Sequence, residues 1–174
     1  IKHAWTFDEF YSSMAVQGLD KNGENTYTRE ELAELAKVNV ESLHEFDYFT
    51  FVRQDGETSF VPLGDPEDYW VEFDGTVLTL HFTLPLKTPL DPGAKGATID
   101  VYDPTYFVAF GFAENDPVKL ADAVPGCIAN VPEPDPEAVA DAKALTESFF
   151  SQLGPNSNYG SRFAQTITVT CSKE

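Results

Sequence analysis

The chain has 174 residues, and its 11 Lys and Arg stand against 29 Asp and Glu, which gives a formal net charge of -18 at pH 7. A field of that sign repels phosphate backbones and anionic membrane surfaces, so we expect no nucleic acid partner. The same acidity also suits plain solubility or adaptation to a salty environment. With 42% hydrophobic residues the chain can bury a core, which predicts one globular domain over residues 1–174 rather than disorder.

The start of the chain is abrupt. Residues 1–6 already have the composition of a β-strand, and no basic segment followed by an apolar stretch is present. We expect a signal peptide and more of the N-terminus to be absent from this chain. No apolar run approaches the ~20 residues needed to cross a bilayer, so we expect no membrane insertion.

Residues 7–45 predict a helix-loop-helix insertion. The incoming helix starts at Phe7, and Phe10, Met14 and Ala15 share its apolar stripe. The outgoing helix runs from Thr28 to about His44. Its apolar residues recur at spacings of three and four: Leu32, Leu35, Ala36, Val38 and Leu43.

The segment between these helices, Asp20 to Glu31, has the ligand spacing of an EF-hand calcium loop. Oxygen-bearing residues occupy positions 1, 3, 5, 7, 9 and 12, which are Asp20, Asn22, Glu24, Thr26, Thr28 and Glu31. Asn25 replaces the glycine expected at position 6, and asparagine tolerates left-handed dihedrals better than other side chains. We predict one bound calcium, or a similar hard cation such as a lanthanide. An ordinary acidic turn between helices is the alternative.

A second pattern overlaps the end of this loop. Thr28 and Glu31 have the spacing of a capping box, in which the glutamate bonds back to the threonine amide. A glutamate that chelates a cation with both oxygens cannot also keep that bond. We therefore expect metal to rearrange this corner. Because only one such loop is present, a structural cation is favoured over a sensor pair.

Residues 46–174 predict antiparallel strands. Asp55-Gly56 and Asp74-Gly75 predict hairpin turns, which would join residues 46–53 to 58–61 and residues 68–73 to 76–84. The core face of the strand after the second turn carries Leu78, Leu80, Phe82 and Leu84. Further strands are expected at 97–103, 106–113, 118–120, 127–131 and 163–171, with a helix at about 137–153. The predicted fold is mainly β with α: an antiparallel β-sandwich carrying the helix-loop-helix near its start and one late helix.

The two cysteines, Cys127 and Cys171, fall on two of these predicted strands. A disulfide between neighbouring strands in an oxidising compartment explains their even count, although two reduced buried thiols would give the same sequence. We predict the disulfide. Closing a loop of this size is worth roughly 4 kcal/mol in the chain-entropy model.

Several strings together resemble a known family: WTFDEFYS, FDYFTFVR, LTLHFTLPL and above all YDPTYFVAF at residues 102–110. They are similar to the bacterial domain-of-unknown-function family one thousand and seven, often described as the periplasmic component of an uncharacterised ABC-type transport system. The resemblance covers nearly the whole chain. It implies a periplasmic or secreted protein, commonly encoded near transition-metal transport genes, with no established enzymatic activity.

The resemblance also bears on a second metal site. Members of this family usually carry a His-Pro-His stretch, which this chain lacks, and its histidines are His3, His44 and His81. His81 is the best candidate for zinc or another transition metal, with Asp103 as a carboxylate partner. The alternative is a strand histidine that is only hydrogen-bonded to a carboxylate such as Asp103.

The sequence favours binding over catalysis. It contains no G-x-S-x-G elbow, no H-E-x-x-H helix and no phosphate-binding glycine loop, so we expect no enzymatic activity. The main hypothesis is a periplasmic metal-binding accessory of an ABC-type or other metal transporter. The alternative is a structural or interaction module whose calcium only stabilises the fold. An aromatic ligand groove, as in carbohydrate-binding sandwiches, is a third possibility.

Overall fold

A computed structural model describes residues 1–93, 95–123, 125–133, 136, 137, 140 and 158–172. They divide into two compact units, Ile1–Tyr48 with Leu63–Lys87, and Phe49–Pro62 with Thr88–Glu174. In chain order the elements are β1 (Lys2–Thr6), α1 (Glu9–Ala15), α2 (Ala33–Leu43), β2 (Thr50–Gln54), β3 (Glu67–Phe73), β4 (Leu78–Thr83), β5 (Ala97–Val101), β6 (Cys127–Asn130) and β7 (Gln165–Cys171). Short 3-10 helices cover His44–Phe49 and Tyr159–Phe163.

The first unit is a three-stranded antiparallel sheet of order β1-β4-β3, and α1 and α2 belong to the same unit. The predicted alternation of β4 is confirmed, because Leu78, Leu80, Phe82 and Leu84 are at most 1% exposed. The Asp74-Gly75 turn is confirmed as well, with Gly75 at a φ of 100°. The strand predicted at the start of the chain is β1. The helix-loop-helix thus shares its core with these strands.

The face that α1 turns toward this core differs from the prediction. Phe10 and Met14 are 75% and 56% exposed, whereas Ser12 is fully buried. The Ser12 hydroxyl accepts a hydrogen bond from the Leu78 amide at 2.9 Å, which satisfies both groups inside the core. The most buried position of α1 therefore holds a serine, which a search for apolar residues at helical spacing does not identify.

The second unit contains a four-stranded antiparallel sheet of order β2-β5-β7-β6. Arg53 of β2 and Asp100 of β5 form an ion pair at 2.6 Å, and Thr166 of β7 donates to the other Asp100 oxygen at 2.8 Å. The predicted disulfide is present: Cys127 of β6 and Cys171 of β7 are register partners and are bonded to each other.

Four predicted strand segments are wrong. Residues 46–49 lie in a 3-10 helix with positive φ at Asp47, Tyr48 and Phe49, and a strand requires extended dihedrals there. Residues 58–61, 106–113 and 118–120 form no regular strand either. The segment 106–113 instead begins as a loop held by Asp103, whose oxygens bond amides that a sheet would need. Strong strand formers do not fix a strand when a local carboxylate takes their donors.

The fold is mainly β, with two antiparallel sheets and two α-helices in the part of the chain described. This confirms the predicted class. The packing of one sheet on another that defines a sandwich stays a prediction, as does the single domain over 1–174. The helix predicted at about 137–153 lies outside the described residues apart from residues 137 and 140.

Candidate metal centre

The loop after α1 is organised around the Asp20 carboxylate. Its Oδ1 accepts from the amides of Gly23 at 2.8 Å and Glu24 at 3.2 Å, and its Oδ2 accepts from the amide of Asn25 at 2.9 Å. The Asn22 side-chain oxygen accepts from the Glu24 amide at 3.0 Å. The backbone therefore curls around the first predicted ligand and brings the third and fifth loop positions next to it.

The sixth loop position adopts the conformation predicted for it. Asn25 has a φ of 59°, in the left-handed region that a glycine usually occupies. Gly23, two positions earlier, has a φ of 74°. These two residues let the loop reverse direction within six residues, which is the role of the glycine in a calcium loop.

The Glu31 carboxylate joins the two ends of the loop. Its Oε1 accepts from the Lys21 amide at 3.0 Å, and its Oε2 accepts from the Thr28 amide at 3.0 Å. The hydrogen bonds from the Thr28 amide and then from the Lys21 amide lower the pKa of Glu31, which favours its ionised form. The Glu31 amide bonds to the Thr28 hydroxyl at 3.2 Å, which confirms the capping box. Regular helix, however, starts only at Ala33, because Thr28 to Leu32 form a preceding turn.

The remaining predicted ligands lie along the exposed side of the loop. The Thr26 hydroxyl donates to Glu24 Oε1 at 2.9 Å, and both residues are exposed. Within the described residues, no group of three or more His, Cys, Asp or Glu side chains is arranged to hold a metal. The donors thus match a hard cation in chemical type and in their order along the chain. To join Asp20 and Glu24 around such a cation, Glu31 would have to break its hydrogen bonds to the backbone amides.

His81 and Asp103 each have hydrogen-bond partners within their own unit. His81 Nε2 lies 2.8 Å from Glu72 Oε1, and its ring stacks on Trp70 with centroids 4.4 Å apart. Asp103 is 4% exposed and uses both oxygens on groups of its own loop. His3 stacks on Phe82, and burial lowers the pKa of its imidazole to about 3. His81 is therefore a strand histidine that is hydrogen-bonded to a carboxylate, as the alternative interpretation predicted, and that carboxylate is Glu72.

A family model described as "Protein of unknown function (DUF1007)" matches residues 1–171. The chain belongs to this family. The resemblance carried by YDPTYFVAF and the other strings is thereby confirmed. A protein of Haemophilus influenzae, described only as "Uncharacterized protein", is 28% identical over 169 residues, which cover 96% of this chain and 79% of the relative. No solved structure is detectably similar to this DUF1007 member.

Glu72 is the partner residue that the sequence reasoning missed. The connection between β3 and β4 covers residues 74–77, which sets the register Phe73↔Leu78, Glu72↔Thr79 and Trp70↔His81 and places Glu72 beside His81. A two-residue turn at Asp74-Gly75 would have paired Phe73 with Thr76, so the sequence pattern did not predict this register. Among the described residues, no helix is long and apolar enough to cross a membrane.

Proposed function

We propose that this DUF1007 member binds one calcium or similar hard cation in the loop Asp20 to Glu31, and that it acts as a periplasmic, non-catalytic metal-binding accessory of a transport system. The backbone conformation of this loop is the observation that supports the cation site. Asn25 makes the left-handed turn at the sixth position, while Glu31 joins the loop's two ends through Lys21 and Thr28.

Asp20, Asn22, Glu24, Glu31 and the Thr26 carbonyl would hold the cation in this proposal, with Thr28 at the ninth position. These are oxygen donors, which suit calcium and lanthanides and disfavour copper and zinc. The bound cation would supply charge compensation for three carboxylates. Glu31 would exchange its amide hydrogen bonds for the cation, so the turn before α2 would change on binding.

Titration calorimetry on chelator-stripped protein tests the cation site. We expect one calcium per chain, and we expect Glu31→Gln to weaken binding by more than about tenfold because it removes a charged oxygen ligand. Glu30→Gln is the matched control, since it removes the same charge next to the site but outside the ligand set. Equal losses in the two variants, or full affinity in Asp20→Ala with Glu31→Gln, would exclude the assignment.

The accessory role and the purely structural role predict different second steps. A structural module gains stability from calcium, about 2.7 kcal/mol at a concentration one hundred times Kd, and binds no zinc. A transition-metal accessory also binds zinc with loss of affinity in His81→Ala. Glu72 Oε1 lies 2.8 Å from His81 Nε2. This pair supports the accessory role because it offers one nitrogen and one oxygen ligand for a transition metal.

A periplasmic or secreted location is supported by the Cys127–Cys171 disulfide, since such bonds persist in oxidising compartments. Rapid acid quenching of cells followed by thiol alkylation tests this point. The proposal expects both cysteines to resist alkylation until a reductant is added. Full alkylation without reductant would place the protein in a reducing compartment.

A further inference from the structure

A cleft of about 560 Å³ opens on the first unit. Its walls combine strand residues with a residue of the loop: Lys2 from β1, Trp70 from β3, His81 from β4 and Arg29 from the turn before α2. The register pairs Ala4 and Trp70 with His81, so these three share one face of the sheet. The volume lies within the ~300–1,000 Å³ typical of small-molecule sites.

The floor of the cleft is a set of stacked planar groups. The His81 and Trp70 rings are nearly parallel, with an interplanar angle of 5°. The Arg29 guanidinium carbon lies 4.4 Å from the centroid of the Trp70 ring. Glu72 fixes the His81 ring through Nε2. Strand pairing and this hydrogen bond therefore hold the floor in place before any ligand arrives.

Among the described residues, three donor groups on residues that line this cleft have no hydrogen-bond or ion-pair partner. Trp70 Nε1 is buried without a hydrogen bond in that part of the chain, which costs about 1–3 kcal/mol for a donor removed from water. Arg29 contacts the Trp70 ring but, among the described residues, forms no ion pair or hydrogen bond. Lys2 has no ion-pair partner in that part of the chain either.

Two of the chain's 11 Lys and Arg residues line this one cleft. Lys37, Arg53, Lys95 and Lys119 each lie within 4.0 Å of a carboxylate. Asp68 lines the same cleft and the Glu72 carboxylate lies 2.8 Å from His81, so two acidic side chains accompany the two cations. A ligand with one carboxylate can contact Arg29 and Lys2, while the net charge of -18 repels polyanions at longer range.

We propose that this cleft binds a small organic monocarboxylate with an apolar body. The guanidinium of Arg29 offers parallel donors that match the two carboxylate oxygens, and the Lys2 ammonium adds a second charge. Tyr69 lines the cleft and is 40% exposed, so its ring supplies apolar surface for the body of the ligand. Because Arg29 is exposed and lies on a turn, it can shift with the carboxylate and open access to Trp70 Nε1. Arg29 also stands at the tenth position of the loop Asp20 to Glu31, so the cleft adjoins the cation site of the proposed function.

The test uses 2-naphthoate as the probe and 2-naphthamide as its neutral counterpart of similar shape. Nitrogen-proton correlation spectra of the full chain report the indole N–H of Trp70 directly, and Trp5 gives an internal reference signal. Each titration is run once with chelator and once with calcium, so that failure of the cation site leaves the result readable. We expect naphthoate to shift the Trp70 indole signal downfield in both conditions.

Variants separate recognition from folding. We expect Arg29→Gln to weaken naphthoate binding by about tenfold or more, as removal of a charge-assisted hydrogen bond does. Lys87→Gln, which removes an exposed cation of the first unit outside the cleft, should stay within about twofold. Equal binding of naphthamide, equal losses in the two variants, or no shift of the Trp70 signal at millimolar probe would each overturn the proposal.

Discussion

Two loops of this protein are built around an aspartate in the same way and differ in the burial of that aspartate. Asp20 accepts three backbone amides of the residues that follow it, and Asp103 accepts the amides of Thr105, Phe107 and Val108. Each loop also contains a residue at a φ near 60°, Asn25 in the first and Tyr106 in the second. The Asp20 loop is exposed, whereas Asp103 is 4% exposed.

The difference indicates which aspartate is available for a ligand. Both oxygens of the buried Asp103 side chain are used within its own turn, and the Thr105 hydroxyl adds a fourth bond at 2.8 Å. The Asp20 loop keeps other oxygen-bearing residues beside its aspartate, where solvent and ions reach them. The same local geometry is thus structural when it is buried and can be recruited for binding when it is not.

Replacing the buried aspartate should have the largest effect. Asp103→Ala leaves three amides and a hydroxyl without their acceptor, and we expect a loss of about 3 kcal/mol or more in unfolding free energy. Asp20→Ala in the presence of chelator should cost about 1 kcal/mol, because water can replace the lost acceptor. Urea denaturation of both variants measures the difference. Equal losses would mean that the two aspartates have equivalent roles.

The two left-handed residues should respond differently to glycine. Tyr106→Gly relieves the positive φ but removes a ring that stacks on Phe163 at 4.1 Å, so we expect a net loss of about 1–2 kcal/mol. Phe107→Ala is the control, since Phe107 is 90% exposed and its loss should change stability by less than about 0.5 kcal/mol. A stabilised Tyr106→Gly would show that strain outweighs packing in this loop.

Acid should affect the exposed loop through Glu31. The amide bonds lower the pKa of Glu31 in the folded state, so its contribution to stability is present above its unfolded pKa and is lost as pH falls through the lower folded value. Melting temperature measured with chelator between pH 5 and pH 2 should therefore fall less steeply in Glu31→Gln than in the parent chain. Identical slopes would argue against the Lys21 and Thr28 hydrogen bonds.

The smallest expected effect is at Asn25. Asn25→Gly replaces a tolerated left-handed residue with the one that adopts it freely, and we expect a gain of about 0.5 kcal/mol, partly offset by the entropy of the unfolded chain. Asn25→Ala should instead lose about 1 kcal/mol. Thermal melts of both variants with chelator check the sign, and a more stable alanine variant would contradict the left-handed assignment.

Local patterns predicted the parts of the fold that local physics determines. The alternation of Leu78, Leu80 and Phe82, the Asp74-Gly75 turn and the pairing of Cys127 with Cys171 all follow from residues close in sequence or from simple counting. The left-handed Asn25 followed from its place in the loop. Such features depend on backbone preferences and strand period, which a sequence displays directly.

The remaining features depend on tertiary partners. Ser12 faces the core because the distant Leu78 amide needs an acceptor, and no apolar pattern encodes that. The segment after Asp103 has a strand composition, but the carboxylate takes its amides. Arg29 reaches Trp70 from 41 positions away, so their cleft exists only after the chain has folded.

The Cys127–Cys171 bond also determines whether the fragments separate after a protease cuts the chain. A single cut anywhere between the two cysteines, which are 44 positions apart, leaves both fragments covalently joined. Such a nicked molecule keeps its apparent size on a gel run without reductant and separates into two bands once reductant is added. Proteolytic damage to this interval is therefore visible only under reducing conditions, whereas a cut in the first unit releases a fragment in either.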